Sequence, residues 1–234
     1  MKQRTPRAEL PYLKLREAII EQSLAPGMKL PEDVIGAHFG VSRTLARAAL
    51  VKLGGEGLVD IRPKRSATVA HPSIEEAREV FAVRHNLEHQ VVPLVMARWS
   101  KQIEAELKAH VALEEAAAAS ASPVSIRLAG EFHIKLAGHS GNRLLQRYIT
   151  ELVSRCSLIL ALYGRPHSSE CAVNEHKELI RALAKGNLEH ATALMEHHLG
   201  AVEERALLLG VGTEAPVLED ILNRRFPRSK AGVQ

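Results

Sequence analysis

The feature that most limits how this chain can fold is the punctuation between residues 10 and 70. YLKLREAIIEQSL places apolar residues at 12, 15, 19 and 20 between charges, an amphipathic helix that stops before Pro26-Gly27. PEDVIGAHF, with Pro31 early and acidic residues in its first turn, is a short second helix ending at Gly40. GVSRTLARAAL opens a third, with Ser42 as N-cap and Gly54-Gly55 and Gly57 as its stop. Two short β-type runs, LVDI and ATV, follow and are joined by the basic turn RPKRS. Three helices and a basic hairpin in this order specify a winged helix-turn-helix with a small β-hairpin wing over residues 1–72.

The third helix has two faces. At 100° per residue, Arg43, Thr44 and Arg47 fall within an arc of about 100°. Leu45, Ala46, Ala49, Leu50 and Leu53 fill most of the opposite arc. Two arginines four apart on an isolated helix would be read as a solvated face. Here a short helix and a Gly-Val-Ser turn precede them and Arg62, Lys64 and Arg65 follow, which makes them a DNA-reading face. Arginine pairs bidentately with guanine, while lysine and serine supply phosphate contacts. The expected DNA-binding set is therefore Ser42, Arg43, Thr44, Arg47, Lys64, Arg65 and Ser66. Charge agrees: residues 1–72 carry twelve Lys and Arg against seven Asp and Glu, and the rest of the chain nineteen against twenty.

Beyond residue 72 no strand pattern is evident, and only 3% of the chain is aromatic. Ser73 and Glu76 form a capping box that opens a long helix to about Trp99, with Pro93 expected to kink or break it. Ser100 caps the next helix, and further helices are expected near 124–139, 142–163, 169–185 and 187–209. The fold class is mainly α, with an all-α antiparallel bundle of about six helices after the winged domain. This second domain is set at residues 73–222, followed by a basic tail, 223–234, expected to be disordered. Two cysteines make no disulfide framework, and no stretch approaches 18 uninterrupted apolar residues, so a cytoplasmic protein without a membrane partner is expected.

His133, His176 and His198 lie on three different expected helices. Imidazoles converging from separate helices can hold a divalent metal such as zinc or nickel; ordinary core or surface histidines are the other reading. Arg155, in the apolar segment ELVSRCSLILALY, needs an anionic partner, either an effector carboxylate or an internal salt bridge. Two rival functions exist: an effector-independent architectural DNA-binding protein, and a metal-dependent hydrolase built on the three histidines. The hydrolase reading leaves the first 72 residues without a role, so an enzyme is not expected.

APGMKLPEDVIGAHFGVSRTLARAALVKLGGEGLVDIRPKRSATV resembles the DNA-binding domain of the GntR family of bacterial transcription regulators. Leu45, Ala46 and Ala48 stand where that family usually has Pro, Val and Glu, and Ser66 where it has a wing glycine. Residues 73 to about 210 are similar to the FCD ligand-binding domain of the FadR subfamily, through Phe132-His133, Gly141-Asn142, Glu175-His176 and His198-Leu199. The resemblance implies a homodimeric, ligand-responsive regulator, a repressor, on a pseudo-palindromic duplex operator. It implies a small carboxylate effector held among Arg84, Glu88, His133, Asn142, Arg155, His176 and His198. A carboxylate ligand four residues before the first histidine is usual in metal-binding members. Ala129 stands there, so the histidines either bind metal with an open position or act as hydrogen-bond partners of a ligand.

Overall fold

The computed structural model describes residues 8–63, 65–120, 122–163, 170–206 and 218–226. The chain forms two compact units, one of residues 1–71 and 212–234, the other of residues 72–211. It therefore passes out of the first unit and returns to it.

In the first unit α1 (Leu10–Ile20), α2 (Glu32–Phe39) and α3 (Arg43–Gly55) pack about Leu15, Ile19, Ile35, Leu50 and Leu53, none more than 1% exposed. The turn between α2 and α3 is tight. Gly40 ends α2 at φ 63°, and a Cβ at Gly36 would lie 2.9 Å from the Val41 carbonyl oxygen. Ser42 caps α3 as expected, its Oγ accepting from Leu45 N at 3.3 Å. Leu45 itself, placed on the inward arc by the sequence, is 38% exposed, because Ala46, Ala49, Leu50 and Leu53 alone fill the buried stripe. The wing is larger than a hairpin. β1 (Lys29–Leu30), β2 (Val59–Asp60) and β3 (Ala67–Val69) form an antiparallel sheet in the order β1-β3-β2, with Lys29 opposite Thr68 and Val59 opposite Val69.

A final helix, α10 (Leu218–Arg225), completes this unit by packing on α2. Leu218 and Leu222 are buried, His38 Nδ1 lies 3.2 Å from Asn223 Oδ1, Arg225 pairs with the buried Glu21, and Phe226 approaches Phe39. Residues 223–225, expected to begin a disordered tail, thus finish a helix, because the leucines of LEDILNRR supply a short apolar stripe. Residues 227–234 of that expected tail lie outside the described residues.

The second unit holds α4 (Ile74–Met96), α5 (Lys101–Ala119), α6 (Val124–Gly138), α7 (Arg143–Tyr163), α8 (Glu170–Ala184) and α9 (Leu188–Ala206). Ser73 and Ser100 cap α4 and α5 through Glu76 N and Ile103 N. Pro93 does not break α4; it falls in the last turn, where the missing N–H costs one bond before the helix ends. Val92 and Val95, Leu107, Phe132 and Leu136, Ile149, Leu183, and Leu199 form one core contributed by all six helices. A smaller cluster of Phe81, Ile159, Val202 and neighbours fills another part of the unit.

Replacing Leu222 with Ala tests the docking of α10. Loss of a fully buried leucine costs about 2–5 kcal/mol, so amide exchange across 218–226 is expected to accelerate at least about tenfold. Exchange in α6 and α7 should stay unchanged. Equal protection of 218–226 in both proteins would show that α10 is not held on α2.

Candidate functional site

On the first unit, the residues expected to touch DNA lie on an open surface. Arg43, Thr44, Arg47, Arg65 and Ser66 are exposed, and Arg43 and Thr44 open α3 directly behind the Ser42 cap. Arg47, 71% exposed, has its nearest acidic partner in Glu32 at 3.7 Å, a distance at which water-screened attraction is weak. Lys64 lies outside the described residues. The far end of α3 is fixed to α1: Lys52 sits 3.6 Å above the Tyr12 ring, and Glu56 accepts from Arg16 Nε at 2.8 Å and from the Tyr12 hydroxyl.

Inside the second unit, the three histidines meet. His133 comes from α6, His176 from α8 and His198 from α9; all are buried, and their nearest nitrogens lie within 4.8 Å of one another. Each ring has a carboxylate on Nδ1, in every case from another helix. Glu88 Oε2 of α4 is 2.5 Å from His133 Nδ1, Glu114 Oε2 of α5 is 2.8 Å from His176 Nδ1, and Glu175 Oε2 of α8 is 2.5 Å from His198 Nδ1. Phe132 stacks on His176 with ring centroids 3.9 Å apart.

These carboxylates decide where the imidazole lone pairs point. Burial works to raise the Glu88 carboxyl, but His133 and Arg84 outweigh it and hold it at about 2. Burial also works against the Glu175 carboxylate, and the bond to His198 brings it below its usual range. An ionised carboxylate only accepts hydrogen bonds, so Nδ1 of His133 and of His198 carries the hydrogen. Burial pushes the His133 ring down to about 4, and burial with the neighbouring imidazoles pushes His176 well below its usual value. In a neutral ring with hydrogen on Nδ1, Nε2 presents a lone pair.

The Nε2 atoms, opposite the glutamate-bound Nδ1 atoms, are the ones left to a ligand. His133 Nε2 and His198 Nε2 face each other at 3.1 Å, and His176 Nε2 is buried with no hydrogen-bond partner among the described residues. A cation bound by all three would bridge the His133–His198 pair and satisfy the buried Nε2 of His176. The His133–His198 pair has about the spacing required, since bonds of about 2.05 Å at a tetrahedral metal place two ligand nitrogens about 3.3 Å apart, while the three nitrogens together lie within 4.8 Å. The donor set of three imidazoles, each with a glutamate on Nδ1, fits zinc or nickel.

The other expected effector residues divide. Arg84 is 4% exposed and gives Nε to Glu88 Oε1 at 2.7 Å, so it is a buried brace behind His133 rather than an open clamp. Arg155 is half-buried in an internal salt bridge, with Nη1 3.0 Å from Glu76 Oε1 and Nη2 3.1 Å from Glu151 Oε1. Asn142 is exposed and caps α7, its Oδ1 accepting from Leu144 N and Leu145 N at 3.1 Å. Sequence reasoning missed Glu114 and Glu175 as partners. Glu114 was visible in principle, since Leu107, His110, Val111 and Glu114 repeat at i, i+3, i+4 and i+7 and put a carboxyl on the apolar stripe of α5. Glu175 adjoins His176 in sequence yet serves His198, and no local signal marks that.

Two family models match the chain: "Bacterial regulatory proteins, gntR family" over residues 11–69 and "FCD domain" over residues 79–201. "Uncharacterized HTH-type transcriptional regulator YdhC" of Bacillus subtilis is 25% identical over 77% of this chain and 82% of its own length. "HTH-type transcriptional repressor RspR" of Escherichia coli is 25% identical over 82% of this chain and 86% of its own. Among solved structures, E. coli McbR/YncC shares the fold with a TM-score of 0.74 at 20% identity, covering 85% of this chain and 95% of that one.

The buried groups set opposite slopes of stability with pH. Burial pushes Glu114 up to about 8, above an unfolded carboxyl near 4.3, so the folded state holds an extra proton and stability grows as pH falls from 8. Imidazoles unfold to a pKa near 6.5, whereas burial lowers His133, His176 and His110, so below about 6.5 the unfolded state binds more protons and stability declines. Metal-free protein is expected to show a melting maximum near pH 6.5, and Glu114→Gln should flatten the alkaline side and steepen the acid one. A melting temperature constant from pH 8.5 to 5 would contradict the buried neutral assignment.

Proposed function

Because the chain belongs to the GntR family of bacterial transcription regulators and carries an FCD domain, we propose that it is a ligand-responsive repressor controlled from the three-histidine site. It binds a pseudo-palindromic duplex operator as a homodimer in the cytoplasm. Arg43, Thr44 and Arg47 read base edges, and Ser42, Lys64, Arg65 and Ser66 hold the backbone. The exposed Leu144 and Tyr148 of α7 and Val83 and Leu94 of α4 offer apolar surface that a second copy can cover. The relative named a repressor supports the direction of regulation.

The observation that carries the metal assignment is the Nε2 pair of His133 and His198 at 3.1 Å beside the orphaned Nε2 of His176. His133, His176 and His198 would hold a divalent ion, and Ala129, one turn before His133, contributes no fourth ligand. A metal with three protein nitrogens keeps a position for an oxygen donor, which suits a small carboxylate effector. Arg84 acts by holding Glu88, and through it the His133 ring, and Arg155 acts by joining α7 to α4.

Metal analysis of protein purified without chelators or a histidine tag is expected to find about one divalent ion per chain, and His133→Ala to lose it. Equal metal content in the two proteins would move the site elsewhere. On the DNA side, Arg43→Ala and Arg47→Ala are each expected to weaken operator binding by about 1–3 kcal/mol and to relax base preference. If both variants still separate operator from random duplex as the parent does, the reading face lies elsewhere. A parent protein with no such preference would instead be architectural.

A further inference from the structure

Helix α3 carries two apolar stripes, and the fold uses only one. Ala46, Ala49, Leu50 and Leu53 are at most 5% exposed and form the inward stripe. Thr44, Ala48 and Val51 recur at i, i+4 and i+7, within an arc of about 60° on the opposite side. All three are exposed, Val51 at 54%. Each ends in a methyl group, and the strip runs beside Arg43 and Arg47. Lys52, on its other flank, is drawn back over the Tyr12 ring at 3.6 Å, which leaves the strip open to an approaching surface.

We propose that Thr44, Ala48 and Val51 recognise thymine C5-methyl groups in the major groove. The inference rests on the duplex-binding function proposed above and adds to the arginine readout a hydrocarbon one. The physical reason lies in what a base edge offers. Oxygens, nitrogens and amino groups line the major groove, and the thymine methyl is its apolar exception. A valine set against guanine, adenine or cytosine strips water from a donor or acceptor and returns no hydrogen bond, which is unfavourable. Set against thymine, the same side chain buries methyl on methyl. The strip therefore favours thymine and disfavours the other three bases, while Arg43 and Arg47 beside it favour guanine.

The helix geometry limits where those thymines lie. Seven residues of α-helix rise about 10 Å, which spans about three base pairs at 3.4 Å each. One or two thymines within a three-base-pair segment of each half-site are expected to be read this way.

The test uses the full chain and duplexes it selects from a randomised library, followed by replacement of each selected dT with dU, which removes the C5-methyl and keeps every hydrogen-bonding group. Loss of one buried methyl contact is worth about a fourfold loss of affinity, expected at one or two adjacent positions per half-site. Thr44→Ser removes only a methyl, and Val51→Ser and Ala48→Ser keep the helix; in at least one of them the dT over dU preference should vanish at one position and persist at the others. Neutral dU substitution throughout, a selected half-site without thymine in that segment, or a preference unchanged in all three variants overturns the proposal and leaves sequence-specific binding intact. Selection that enriches no sequence overturns both. If Val51→Ser changes self-association without DNA and leaves the dT preference untouched, the strip is a protein contact and the proposal fails.

Discussion

The second unit is organised around one electrostatic demand: three imidazoles are buried with a glutamate on each, Glu88 and Glu114 buried with them and Glu175 partly exposed. Each carboxylate answers a ring on a different helix, Glu88 of α4 to His133 of α6, Glu114 of α5 to His176 of α8, Glu175 of α8 to His198 of α9. Five of the six helices are thereby tied to one point. Arg84 closes the set by pairing with Glu88, which otherwise would be an ion buried at 1% exposure with only an imidazole for company. An apolar core of the same volume would stabilise the bundle more simply, since buried ionic pairs seldom exceed the desolvation they incur. At the centre the Nε2 atoms of His133 and His198 turn toward each other rather than toward the glutamates, the arrangement from which the ligand site proposed above is argued.

The first unit solves a different problem. It must hold α3 rigid by one stripe while leaving the rest of its surface unoccupied. Ala46 and Ala49 let α3 approach its neighbours closely, and Gly36 admits the Val41 carbonyl at the turn. The Glu56 carboxylate, shared by Tyr12 and Arg16, anchors the C-terminal end of α3 to α1, so the N-terminal end with Arg43 and Thr44 is free to face outward. Packing and reading are thus divided between the two faces of one thirteen-residue helix.

What the sequence revealed follows the range of the interactions involved. Caps at Ser42, Ser73 and Ser100 and the α2–α3 turn were legible because they depend on residues within a few positions. The ion pair of Arg84 with Glu88 depends on a spacing of the same local kind, four residues along α4. The two-residue strand Lys29–Leu30 was not, since it exists only through β3 some forty positions away. Arg155 announced its need for an anion, but its tertiary partner, Glu76, lies 79 residues off in sequence. The histidines could be named from their positions on separate helices, whereas the carboxylates that set their tautomers could not, because each contact joins helices by tertiary packing. The docking of α10 on α2 spans nearly the whole chain and gives no local sign beyond two leucines.

Connectivity adds a consequence for control. Two helices leave the bundle toward the DNA-binding unit in sequence: α4, which follows β3 after a few residues, and α9, beyond which the next described element is α10 on α2. Both carry members of the buried cluster, Glu88 on α4 and His198 on α9. A ligand that changes the separation of His133 and His198 acts on α9 directly and on α4 through the His133–Glu88 contact. Coupling between sites requires an element with two arrangements that each ligand biases differently, and distance alone supplies none. Under the metal reading proposed above, the cluster with and without its ion would supply such an element, and Glu88 and His198 lie on both helices through which the covalent chain continues to the DNA-reading unit.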